Sequence, residues 1–180
     1  NSPCHKEADY LLIAAVSYEN AALRELIWQL KFRRRQVVVP ELARVLSTVL
    51  ENVGVAISEY AAIPMPLHIS RLRERGFNQT ELLARAVAEL SGAPPSGGAP
   101  ESLLVKIKKT KPQTETKSHD ERRKNLQGCF EVPNPKLVLG KNILLIDDVW
   151  TSGATMNEAV RVLKKAGAKK IVGLVVAKAG

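Results

Sequence analysis

Residues 143–155 read ILLIDDVWTSGAT. Their first four residues form a strand too apolar to face water on either side, the pattern of a strand buried in a parallel sheet. The strand continues to Val149, a turn covers 150–153, and a helix is predicted over 154–166, with Met156, Val160, Leu163 and Ala166 on one face and Gly167 ending it. A second apolar strand over 170–177 completes a βαβ unit. Two carboxylates, Asp147 and Asp148, stand at the carboxyl end of the first strand, where ligands of open α/β sheets sit. The free N–H groups of the next helix, with its dipole, attract an anion there. Gly153 lets the backbone approach closely, and Thr151, Ser152 and Thr155 add hydroxyl donors, so a phosphomonoester is the natural occupant. The carboxylates would repel it; they suit sugar hydroxyls one ring away and a magnesium ion held through water. A phosphorylated ribose meets all of these requirements.

Upstream, apolar residues at helical spacing predict a helix over 19–32, another starting at Pro40 and burying Leu42, Val45, Leu46, Val49 and Leu50, and a third over 80–90 with Leu82, Leu83, Ala86, Val87 and Leu90 inward. A strand over 60–66 ends at Pro64-Met65-Pro66, and the arginine-rich segment 71–79 reads as the loop beyond it. Residues 91–100 are a Gly, Pro and Ser loop within a single domain covering 1–180. A strand over 103–107 and a capping box, Ser118 with Glu121, opening a short helix over 119–126 with Gly128 beyond, fill the remaining gap.

The chain is 45% hydrophobic and 25% charged over 180 residues, which excludes disorder as a whole-chain reading. No apolar run approaches the roughly 20 residues of a membrane helix, and no secretion signal opens the chain. With Cys4 and Cys129 as its two cysteines, the expected setting is a reducing cytoplasm. The net charge of +9 is clustered. Residues 104–124 hold eight basic residues against three acidic ones, a net +5; Arg71, Arg73 and Arg75 surround Glu74; Lys31, Arg33, Arg34 and Arg35 form a third group. Such clusters suit phosphates of a small molecule or a nucleic-acid backbone. With eight aromatic residues, the chain offers no evident platform for stacking bases.

The 143–155 segment closely resembles the thirteen-residue phosphoribosyl diphosphate (PRPP) motif of type I phosphoribosyltransferases. A phosphorelay receiver also uses an acidic pair at a strand end, but after its first strand and without a glycine-threonine loop. The runs Ile63-Pro64-Met65-Pro66-Leu67-His68 and Arg71-Leu72-Arg73-Glu74-Arg75-Gly76-Phe77-Asn78-Gln79, followed by Gln113 and by Arg122, Asn125, Gly128 and Phe130 spaced R-x-x-N-x-x-G-x-F, resemble the ComF family of competence-associated, phosphoribosyltransferase-like proteins. The resemblance implies an open parallel sheet with helices on both faces and a flexible hood loop, here 104–124 with Lys109, Lys111, Gln113 and Arg122. It further implies that Thr151, Ser152, Gly153, Ala154 and Thr155 hold the 5-phosphate, that Asp147 and Asp148 take the ribose hydroxyls, and that Pro66, Arg71, Arg75, Asn78 and Gln79 serve the diphosphate on a loop with an unusual peptide conformation. Many members begin with a cysteine-rich zinc module; residues 1–18 would be its remnant, and Cys4 with His5 cannot complete a tetrahedral site, so no zinc is expected in this chain.

The implied reaction is Mg2+-dependent displacement of diphosphate from C1 of PRPP by an acceptor whose identity is open. Asp147 or Asp148 is a candidate base toward that acceptor. The alternative is a PRPP-binding protein without catalysis that handles single-stranded DNA during DNA uptake. Lys31, Arg33, Arg34 and Arg35 have no part in the expected pocket. Self-association is left open.

Overall fold

The computed structural model of the protein describes residues 4–6, 10–91, 102–110 and 125–179. Along the chain run β1 (Cys4–Lys6), β2 (Leu11–Ser17), α1 (Ala21–Phe32), α2 (Val39–Asn52), β3 (Ala61–Pro64), α3 (Ile69–Arg75) and α4 (Gln79–Leu90). After them come β4 (Val105–Lys106), β5 (Phe130–Glu131), β6 (Asn142–Trp150), α5 (Ala154–Lys165) and β7 (Lys170–Lys178). The main sheet has the order β1-β2-β7-β6-β3, with β1 antiparallel to β2 and the other four strands parallel.

The pleat sends alternate residues of β6 to opposite faces, and both faces are covered. Leu144 and Ile146 pack with Leu30 of α1, Leu42, Leu46 and Leu50 of α2, and Leu83 and Val87 of α4. Ile143 and Leu145 pack with Met156, Ala159, Val160 and Leu163 of α5 and with Phe130. All four β6 residues are fully buried, which is why no polar residue interrupts the run. The α/β architecture with helices on both faces is therefore present as the sequence implies. No helix among the described residues is long and apolar enough to cross a membrane.

Three expectations need correction. The segment 71–79 is largely helix, not loop: His68 caps α3, its ring nitrogen accepting from the Ser70 amide at 3.2 Å, and Gly76 ends it at φ +83. None of its residues is buried, so no apolar stripe marks it in the sequence. The strand over 103–107 shrinks to β4, which pairs antiparallel with β5 in a separate two-stranded sheet. Leu90, placed inward from periodicity, is 54% exposed at the end of α4. The 91–100 loop lies almost wholly outside the described residues, as does most of the 119–126 helix.

Candidate functional site

The carboxyl ends of β6 and β3 form the floor. β3 stays tied to β6 one residue past its end, where the Met65 amide donates to Ile146 O at 2.8 Å. Asp148 is buried and both its oxygens are taken. Lys31 Nζ of α1 lies 2.8 Å from Oδ1, and Gln79 Nε2 of α4 donates to Oδ2 at 3.0 Å. Gln79 Oε1 in turn accepts from Arg75 Nη1 of α3 at 3.1 Å. Four elements are thus joined through one carboxylate.

Asp147 differs from its neighbour. Its Oδ1 accepts from the Asp148 amide at 2.8 Å, but burial and the adjacent Asp148 charge push its carboxyl up to about 7, against the opposing pull of that amide, Lys31 and Lys106. Lys106, at the start of the basic segment, is pushed down by burial and pulled back up by Cys129 and Asp147. Cys129 is a buried free thiol that burial raises to about 11, so it is no nucleophile.

Beyond the carboxylates the chain turns into α5. Gly153 is the N-cap residue, at φ +75, and no side chain caps the helix. A Cβ at Gly153 would lie 2.9 Å from the Trp150 ring, so conformation and contact both demand glycine. The first turn of α5 holds no acidic residue, and Ser152 Oγ and Trp150 Nε1 are buried with no partner in the described structure. Uncapped amides beside an unpartnered hydroxyl form an anion cradle, with Lys178 Nζ 5.0 Å from the centre of the Trp150 ring.

Thr151, Thr155, Asp147, Asp148, Pro66 and Arg71 line one cleft of about 1390 Å³, whose lining does not include Trp150, Ser152 or Lys178. Arg75, Gln79 and Lys109 line it too. Ser152, Gly153 and Ala154 shape the turn beneath. Asn78 is structural instead. It caps α4, accepting from the Thr80 amide at 3.2 Å, while its own side-chain amide donates to Met65 O at 3.2 Å. Every described peptide bond around Pro64 and Pro66 is trans, so the unusual conformation implied there is not found. Lys111, Gln113 and Arg122 lie outside the described residues.

The structure adds what the sequence left out. Lys31, Trp28 and Phe32 of α1 line the same cleft, so the cluster given no part in the pocket supplies the cation on Asp148. The signal was present: Lys31 follows Ile27 by one helical turn, on the edge of the buried stripe that contains Ile27 and Leu30. Nearby, Arg34 sits at φ +54 and its guanidinium donates to Glu74 O at 2.8 Å, tying the end of α1 to α3.

Metal ligands are sparse. Among the described residues no three acidic, histidine or cysteine side chains converge. With Asp148 engaged by Lys31 and Gln79, Asp147 is the carboxylate left to face the cleft, which fits Mg2+ held mainly by substrate phosphates and water.

Comparison with known proteins gives the same direction. Residues 77–180 match the family model described as phosphoribosyl transferase domain. The chain is 29% identical over 177 residues to the DNA utilization protein YhgH of Salmonella typhi, covering 94% of this chain and 74% of that protein. It is 30% identical over 151 residues to competence protein F of Haemophilus influenzae, covering 81% of this chain and 63% of that one. Competence protein ComFC of Bacillus subtilis is 28% identical over 148 residues, covering 82% and 56%.

Proposed function

Since this chain belongs to the phosphoribosyl transferase domain family, and within it to the ComF family, we propose that it binds PRPP at the carboxyl end of its parallel sheet and transfers the phosphoribosyl group to an acceptor. The observation that carries the reading is the anion cradle at α5: an uncapped helix start, Gly153 pressed under Trp150, and Ser152 Oγ buried without a partner. It follows directly on two carboxylates, the spacing a 5-phosphate and its ribose hydroxyls require.

In this reading the amides of the α5 first turn, with Thr151, Ser152 and Thr155, hold the 5-phosphate. Asp147 accepts from the ribose hydroxyls, and Asp148 joins it once Lys31 or Gln79 yields. Arg71 and Arg75 face the diphosphate, where planar guanidinium groups match its oxygens. Lys106 and Lys109 close from the opposite side and keep water from C1. The bond from C1 to the diphosphate oxygen breaks as the bond to the acceptor forms, and the acceptor's proton leaves to Asp147 or to solvent. Asp147 is the residue that would help hold Mg2+, which when bound would supply positive charge for the departing diphosphate.

Calorimetric titration with PRPP and Mg2+ tests this. Micromolar binding that is lost in the Asp147→Asn, Asp148→Asn double variant supports the reading, and unchanged binding in that variant overturns it. A second reading, in which the chain handles DNA without catalysis, is favoured by one observation: the basic end of α1 opens onto the same cleft.

A further inference from the structure

Trp28 and Phe32 stand one turn apart on α1, with ring centres 6.1 Å apart and planes inclined at 42°. Both are exposed, by 41% and 63%, although rings of this size are normally covered. Each carries a guanidinium: Arg33 Cζ lies 4.9 Å from the Trp28 ring centre, and Arg75 Cζ lies 5.8 Å from that of Phe32. The platform for stacking bases that the composition does not reveal is assembled here by helical spacing and by α3 approaching α1.

The surroundings restrict the occupant. The ledge is the outer rim of the cleft that holds Asp147 and Asp148, and that cleft, at about 1390 Å³, exceeds the roughly 300–1,000 Å³ of ordinary small-molecule sites. Two rings in a row, rather than one slot, suit consecutive planar groups. The cations that continue past them, Arg33, Arg34 and Arg35, suit a chain of phosphates; a lone neutral ring needs none of them. Glu25 is the one acidic residue of α1 that lines the cleft. Guanidinium planes and aromatic faces accept any base, so such a ledge binds a strand with little regard to its sequence.

We propose that the Trp28–Phe32 ledge, flanked by Arg33 and Arg75, binds two consecutive bases of single-stranded nucleic acid at the mouth of the PRPP cleft. This deepens the nucleic-acid reading given above and does not depend on catalysis. The test is fluorescence anisotropy of a labelled oligothymidylate strand with the full chain at low and at moderate salt, alongside calorimetry with PRPP and Mg2+. Binding that weakens steeply with salt, falls tenfold or more in the Trp28→Ala, Phe32→Ala double variant, and holds in Leu139→Ala, an exposed apolar control away from the cleft, is the expected result. Arg33→Gln should lower the slope of log affinity against log salt by about one. Equal strand affinity in the double variant overturns the proposal, as does absence of strand binding, or thymidine monophosphate binding as tightly as the strand. Should PRPP fail to bind while the strand pattern holds, the transferase reading falls and the ledge stands.

Discussion

Lys31 Nζ of α1 sits 2.8 Å from Asp148 Oδ1, so the second carboxylate of the acidic pair is already occupied before any ligand arrives. A ribose hydroxyl that claims Asp148 must displace an ammonium or the Gln79 amide. The pair joins a helix that covers one face of the sheet to the strand end that holds the site.

Lys31→Met removes that competitor and leaves Asp148 buried with one partner fewer. Because one member of a largely buried ion pair is lost, stability should fall by about 1–3 kcal/mol, and roughly 2–4 °C per kcal/mol is expected for a chain of this size. Affinity for PRPP should nonetheless rise about tenfold, since the hydroxyls meet an open carboxylate. Thermal unfolding and calorimetry on the same preparation read both signs; weaker PRPP binding would make Lys31 a phosphate contact instead.

Ser152→Ala separates binding from folding in the opposite sense. The hydroxyl is buried without a partner, so deleting it relieves about 1 kcal/mol in the unliganded chain, and the melting temperature should hold or rise by a few degrees. PRPP affinity should fall about tenfold because the phosphate loses a donor. Gly153→Ala fails on both counts, since φ +75 and the Trp150 ring at 2.9 Å exclude the methyl group.

Asp147 sets a pH dependence of unusual direction. Its carboxyl is raised to about 7, so between the ordinary carboxylate range near 4 and that value the folded chain holds a proton the unfolded chain has lost. Stability from this residue therefore falls as pH rises from about 4 to 7, instead of growing as it does for a salt-bridged carboxylate. Asp147→Asn should flatten that slope and raise the melting temperature at pH 8. PRPP with Mg2+ needs the ionised form, so its affinity should increase through pH 7, with proton release visible as a dependence of binding heat on the buffer.

How much of this was legible in the sequence depended on how local the cause was. The β6, α5 and β7 unit could be read because unbroken apolar strands and Gly153 and Gly167 are signals within a few residues of what they determine. α3 was hidden because none of its residues is fully buried, and a short helix without a buried face has no stripe to betray it. The role of Lys31 was hidden by distance along the chain: its partner lies on β6, and only the packing of α1 beside the sheet brings the two together. Asn78 was assigned to the diphosphate through the family resemblance of the 71–79 run, whereas here it is a buried cap joining α4 to Met65, a contact thirteen residues away along the chain.

The two ends of the cleft share one helix. α1 carries Lys31, which a ribose would displace, and beside it Phe32, the next residue, and Trp28, about one turn back, which a strand would cover. Any shift of α1 on release of Lys31 moves both rings, so the two ligands should be coupled, and the coupling must be reciprocal. Oligothymidylate affinity is expected to change about fivefold or more on saturation with PRPP and Mg2+, with PRPP affinity changing by the same factor when the strand is present. In Lys31→Met the ammonium is gone in both states and the factor should approach one. Paired titrations in both orders read it directly; strand affinity that ignores PRPP in the wild-type chain would mean that α1 stays in place when the ribose site fills.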